Sequence, residues 1–141
     1  MSLLIPFASD EELAAIAHGL LARTLPKQQW THAAHFAAAL WLLEMNAEGA
    51  MPEAIRSYNE ATGGANTEVS GYHQTITLAS LHAARAFRAE RPHLRVFEVC
   101  NELMASRLGR SDWLLMHWSR DRLFSVEARK RWIEPDLKPL Q

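Results

Sequence analysis

The chain has 141 residues, 48% of them hydrophobic and 22% charged, with a formal net charge of -1 at pH 7. That is one domain's worth of globular sequence, able to bury a core and too apolar for a disordered chain. Near-neutrality and only three lysines exclude a generic polyanion binder, since nucleic acid asks for clustered cations beside exposed aromatics on one surface.

The charge is unevenly divided. Residues 1–80 carry three basic side chains (Arg23, Lys27, Arg56) against eight acidic ones, and residues 81–141 carry twelve basic against eight acidic. Such asymmetry can steer an anionic ligand or orient self-association, but acids interleave with the arginines, which reads first as solvated surface. The single Cys100 excludes an internal disulfide and any cysteine-only zinc cluster. Within "RVFEVCNELM" it reads as a buried structural thiol rather than a nucleophile. No secretory leader is apparent, and "FAAALWLLEM" is too short for a membrane span, so a reduced, cytoplasmic protein is expected. "MSL" at the start reads as an expression remnant and is set aside.

Helix signals follow one another along the chain, with no alternating strand pattern. "SDEELAAIAHGLLART" opens with a capping box, Ser9 with Glu12, places Leu13, Ile16, Ala17, Leu20 and Leu21 on one stripe, and is closed by Pro26. Thr31 caps a second helix running to about Asn46, with Gly49 as the stop. Pro52 sits in the first turn of a third, which Gly63 and Gly64 terminate. The loop "GGANTEVSG" leads to a long helix from about Gly71 to Glu90. Pro92 starts another, with Leu94, Phe97, Asn101, Met104 and Leu108 on one side and Gly109 at its end. Ser111 caps "DWLLMHWSRDRL", and Ser125 caps "VEARKRWI" before Pro135. The expectation is an all-α fold, a single domain over residues 1–141 holding six or seven helices, with 1–8 and 134–141 as extended or tail segments.

Three stretches depart from ordinary helix composition. In "WTHAAHF", His32 and His35 share the face of an otherwise hydrocarbon helix. Their first-turn position disfavours protonation, and neutral imidazole is the form that binds metal or acts as a base. In "NTEVSGYHQTIT", small polar residues precede a helix whose face reads, from His73, Ile76, Thr77, Ser80, Ala84 and Phe87. If His73 meets His32 and His35, three imidazoles with open positions suit a catalytic zinc or another divalent metal such as manganese, iron or nickel. Tyr72 and Gln74 then stand as catalytic or orienting groups, and Trp30, Asn66 and Thr67 as substrate contacts. In "WLLMHWSRDRLFS", Trp113, His117 and Arg120 share a face. Arg120 reads first as a partner for helix-terminal carbonyls and second as a clamp for a substrate carboxylate or phosphate. Glu98 and Asn101, three apart on one helix, are candidate inward polar groups that read first as helix surface, and His18, His82 and His93 receive no role. A phosphate loop, a Gly-x-Ser-x-Gly elbow and a His-Glu-x-x-His motif are all absent from the sequence.

The segments "LPKQQWTHAAHFAAALWLL", "YNEATGGANTEVSGYHQTIT" and "WSRDRLFSVEARKRWIEPDLKPL" resemble a family of small, uncharacterised bacterial all-α proteins with Trp-Thr-His-x-x-His and Asn-Thr-x-x-x-Gly-Tyr-His motifs. The likeness spans about Leu25 to Leu140 and brings no activity with it. It implies a glutamate after Gly-Tyr-His, where this chain has Gln74. A looser similarity is to DinB/YfiT-like bundles, which implies a divalent metal on three histidines.

Two function classes follow. The first is a divalent-metal-dependent hydrolase or transferase acting on a small molecule, with the three ring nitrogens gathered within about 4 Å of one another by ligand bonds of about 2.0–2.1 Å. The second is a non-catalytic protein, either gripping a small ligand in a histidine-lined pocket or using structural histidines in a helical interaction module, with homodimerisation through its tryptophan-bearing surface. Neither involves nucleic acid or membrane.

Overall fold

Helix α2 (His32–Glu44) sets the architecture because it is apolar on every side, and such a helix has to be buried on every side. In the computed structural model, which describes residues 6–140, it packs against α1 (Asp10–Ala22), α4 (Gln74–Ala89) and α5 (Val96–Ala105). Its alanines at 34, 37, 38 and 39 are buried and bring neighbouring backbones close, while Phe36, Leu40 and Leu42 fill the space between. Helix α3 (Met51–Ala61) lies against α1, and two short helices, α6 (Arg120–Leu123) and α7 (Val126–Lys130), close the bundle, with α7 against α4. Every regular element among the described residues is helical, so the protein is all-α with seven α-helices, as the sequence patterning indicates. No helix among the described residues is long and apolar enough to cross a membrane. The expression remnant read at Met1–Leu3 lies outside the described residues.

Several boundaries differ from expectation for local reasons. Ser9 makes no side-chain cap at α1; instead Glu12 accepts from the Ala8 N–H at 2.7 Å. That helix ends at Arg23, which takes the left-handed conformation (φ 62°) and comes before Pro26 acts. Helix α2 ends close to Asn46 as expected, but Asn46 itself (φ 54°) closes it rather than Gly49. Thr31, by contrast, caps α2 by accepting from Ala34 N at 3.2 Å, and Ser125 caps α7 from Ala128 N at 3.1 Å. Helix α4 starts at Gln74 rather than Gly71, because His73 is its N-cap. Helix α5 starts at Val96 rather than Pro92, with the Arg95 N–H donating to Glu98 Oε1 at 2.9 Å at its entry. The single helix expected from Ser111 is broken into a 3-10 turn at Trp113–Met116 and the four-residue α6.

That break lets the chain fold back on itself. His117 is buried, and its two ring bonds fit a single tautomer: Nδ1 donates to Lys138 O at 3.0 Å, and Nε2 accepts from Arg107 Nη1 at 3.3 Å. Its carbonyl accepts from Leu137 N at 2.9 Å, and Asp136 accepts from both the backbone N and the hydroxyl of Ser119. Trp118 donates to Ile133 O at 3.1 Å and meets Trp132 edge-on. The segment after Trp132 is therefore not a loose tail but a strap fastened to the bundle. Asn101 does the same at the other end, accepting from Phe7 N at 2.8 Å and donating to Phe7 O at 2.9 Å, so it is a pin rather than plain helix surface.

Candidate functional site

The stretch of residues 70–73 forms one wall of a cavity of about 420 Å³ lying between α2, α3 and α4. This wall depends on Gly71, which sits at φ +86° so close to the 65–66 backbone that a Cβ would lie 2.4 Å from Ala65 O. Asn66 fixes the same corner: its Oδ1 accepts from Tyr72 N and Asn59 Nδ2, and its Nδ2 donates to Arg56 O. The C-terminal helices hold the wall from behind. Arg129 donates to Gly71 O at 2.9 Å, and Thr75 donates to Arg131 O at 2.8 Å.

Each proposed site residue then has a definite place. His73 uses both ring nitrogens on the backbone: Nδ1 accepts from Ile76 N at 3.1 Å, and Nε2 donates to Leu123 O at 2.7 Å. It is a neutral, single-tautomer cap, and burial lowers its pKa from the ordinary histidine value. His32 turns the other way, donating from Nε2 to Leu108 O at 2.8 Å and lying edge-on to Phe36. His35 alone of the three remains uncommitted. Its ring makes no hydrogen bond among the described residues, stacks on Trp30 with ring centroids 3.9 Å apart and planes 25° from parallel, and lines the cavity. Burial, with a smaller contribution from neighbouring His32, pushes its pKa from 6.5 down to about 4, so at neutral pH it offers one N–H donor and one nitrogen lone pair.

The three-imidazole cluster expected of His32, His35 and His73 is thus not assembled. His35 and His73 line the larger cavity, and His32 shares with His35 only a separate cavity of about 180 Å³. No group of three or more His, Cys, Asp or Glu side chains among the described residues is gathered as metal ligands would be. A metal on this set would have to break the His32–Leu108 and His73–Leu123 bonds and uncap α4, so these residues do not fit one as they stand.

Tyr72 is buried, its hydroxyl donates to Gln74 Oε1 at 2.5 Å, and burial raises its pKa. The two residues named as catalytic are therefore bonded to each other, and Tyr72 lines the cavity. Trp30 lines it as well. Asn66 serves the backbone, as described. Thr67 lies in an exposed turn, accepting from Val69 N at 3.2 Å. Arg120 is exposed, has Phe124 as its aromatic neighbour and does not line the cavity, so it is no substrate clamp for this site. From α4, Ile76, Thr77 and Ser80 face the cavity, as their spacing from His73 indicates. Sequence reasoning missed Met51, Ile55 and Asn59 from α3, Lys27 and Ser70. Their helical spacing in α3 is that of any amphipathic helix, and only the fold gives it a ligand-sized space to face.

Cys100 is fully buried, and burial pushes its thiol up to about 12, which suits a packing residue and not a nucleophile. No family model, curated protein or solved structure matches this chain.

Proposed function

We propose that this protein binds a small, largely apolar organic molecule in the cavity between α2, α3 and α4, with neutral His35 as the polar group that fixes it. The observation that carries this reading is the uncommitted imidazole of His35, half-buried on the cavity wall. Histidines packed into a fold commonly find partners there. His32, His73 and His117 do so through backbone carbonyls, whereas His35 is held rigidly by Trp30 with both nitrogens unspent. Its partner then comes from outside the chain.

The cavity supports this in size and lining. At about 420 Å³ it falls within the usual range for small-molecule sites, roughly 300–1,000 Å³. Ala39, Ile55, Ile76 and Leu81 supply apolar contact, while Asn59, Thr77 and Ser80 offer hydrogen bonds. Among the described residues, Lys27 is the one lysine, arginine, aspartate or glutamate lining it, which favours a ligand with an acidic end. A donor and an acceptor on one ring suit a carboxylic acid, an amide or an alcohol equally well. We place the protein in a reducing cytoplasm, where the lone buried thiol needs no partner.

The structural-histidine reading suits His32, His73 and His117 but leaves His35 unexplained. A thermal-shift screen of small carboxylic acids, amides and alcohols at pH 7.5 separates the two. A ligand that stabilises the wild type should lose its effect in His35→Leu and Trp30→Ala while keeping it in Arg85→Gln, a residue that pairs with Glu48 at 3.5 Å and does not line the cavity. Ligands that stabilise wild type and His35→Leu alike would sink the proposal.

A further inference from the structure

A further recess of about 320 Å³ shares Tyr72 with the His35 cavity and is otherwise lined by Arg56, Asn66, Thr67, Glu68, Arg129 and Lys130. Three of these side chains are cations and one is an anion, a marked local excess for a chain of net charge -1. The one acid, Glu68, is engaged by Lys130 at 3.0 Å. Two guanidinium groups in the recess are left without a carboxylate there.

Both are held in place by the same residue. The Arg56 guanidinium carbon lies 4.2 Å from the centre of the Tyr72 ring, and its acid partner is the exposed Glu53, outside the recess at 3.9 Å. Arg129 spends Nη1 on the carbonyls of Gly71 (2.9 Å) and Tyr72 (3.4 Å), while its Nη2 and Nε bond to nothing among the described residues. A guanidinium anchored by one nitrogen or stacked against a rigid wall has little further freedom to lose on binding. The Thr67 hydroxyl adds a neutral donor on the same recess.

We infer that this recess is a binding site for a phosphate group, held between Arg56 and Arg129. Two planar forks of N–H donors match the tetrahedral oxygens of a phosphate, and the charge excess matches its dianion. The source is either free inorganic phosphate or the phosphoryl group of a larger molecule, and the site is independent of the His35 cavity, sharing only the Tyr72 side chain with it.

Isothermal titration with inorganic phosphate and with phenyl phosphate, at constant ionic strength set by chloride, tests this. Saturable binding is expected, weakened at least about tenfold in Arg56→Gln and in Arg129→Gln, as loss of a charge-assisted hydrogen bond implies. The Arg56 side chain meets the Tyr72 ring and Glu53 rather than a backbone carbonyl, so Arg56→Gln keeps the test sound if Arg129→Gln fails to fold. His35→Leu should bind phosphate as the wild type does, which separates this site from the first. Tighter binding of phenyl phosphate identifies a phosphorylated ligand, and equal binding identifies free phosphate. No saturable binding of either probe by folded wild type at millimolar concentration, or binding unchanged in Arg56→Gln, overturns the inference.

Discussion

The indole of Trp30 lies flat against the imidazole of His35, 3.9 Å between ring centroids, and its other aromatic neighbour is the edge of Tyr58 at 5.6 Å. Tyr58 in turn is fixed by donating its hydroxyl to Leu25 O at 2.8 Å. The uncommitted histidine is therefore the end of a rigid chain of contacts reaching from the 3-10 turn before α2 into α3. A group left without a hydrogen bond yet held this firmly gives up stability for availability. His35→Leu should accordingly leave stability at pH 8 unchanged or raised, by up to about 1 kcal/mol, because the apolar side chain needs no partner. Urea unfolding at pH 8 measures it, and a loss above about 2 kcal/mol would mean that His35 is bonded in the native state after all.

The same residue should dominate the acid side of the stability curve. The unfolded chain takes up the His35 proton near 6.5, whereas the folded protein takes it up only near 4. The folded state's advantage is thus fully present above about 6.5 and is lost progressively as pH falls to about 4, a total on the order of 3 kcal/mol. His73 is shifted in the same direction by burial and adds to the slope. Denaturation at a series of pH values between 7.5 and 4 should show His35→Leu with a visibly shallower decline than wild type. Parallel curves would place the titrating group elsewhere.

Gly71 should be the least replaceable glycine at the cavity. A side chain there meets two separate penalties, the left-handed backbone at φ +86° and a Cβ 2.4 Å from Ala65 O. The backbone term alone costs about 1–2 kcal/mol, and relieving the clash means moving the Asn66 corner that positions Tyr72. Gly71→Ala is expected to cost more than about 3 kcal/mol, while Gly49→Ala, where a Cβ meets nothing within 4 Å, should be close to neutral. Equal melting temperatures for the two variants would contradict this.

Much of the fold was legible because it rests on local signals. The alanine-rich apolar run of α2 could only be a central helix, and Thr31, Ser125, Pro52 and the Gly63–Gly64 pair act where their chemistry places them. What local signals miss is competition. Arg23 stops α1 before the expected Pro26, and at the expected end of α2 the left-handed residue is Asn46 rather than Gly49. The helix anticipated from Ser111 breaks because His117, Trp118 and Ser119 are worth more bonded to the C-terminal strap. At the site, helical spacing put Ile76, Thr77 and Ser80 on one wall with His73. It could not tell which histidine nitrogens would meet carbonyls, because Leu108 lies 76 residues from His32 and Leu123 lies 50 from His73.

Those two carbonyls supply the sharpest test of what the histidines are for. As a cap, His73 contributes the Ile76 N–H bond and satisfies the carbonyl of Leu123. His73→Ala should cost about 1 kcal/mol for the cap and about 1–3 kcal/mol for the orphaned carbonyl. His73→Asn, whose side-chain oxygen is a favoured N-cap acceptor, should recover the first part and not the second. A metal ligand would behave otherwise: asparagine would lose the metal as completely as alanine, and His32→Ala would lose it too. Elemental analysis of protein purified without a metal-affinity step, run beside the unfolding curves, tells the two apart. The geometry predicts stability falling in steps from wild type through His73→Asn to His73→Ala, with no stoichiometric zinc, manganese, iron or nickel to lose. Near-stoichiometric metal that vanishes from the His32→Ala and His73→Asn proteins would instead establish a shared site formed by rearrangement of both rings.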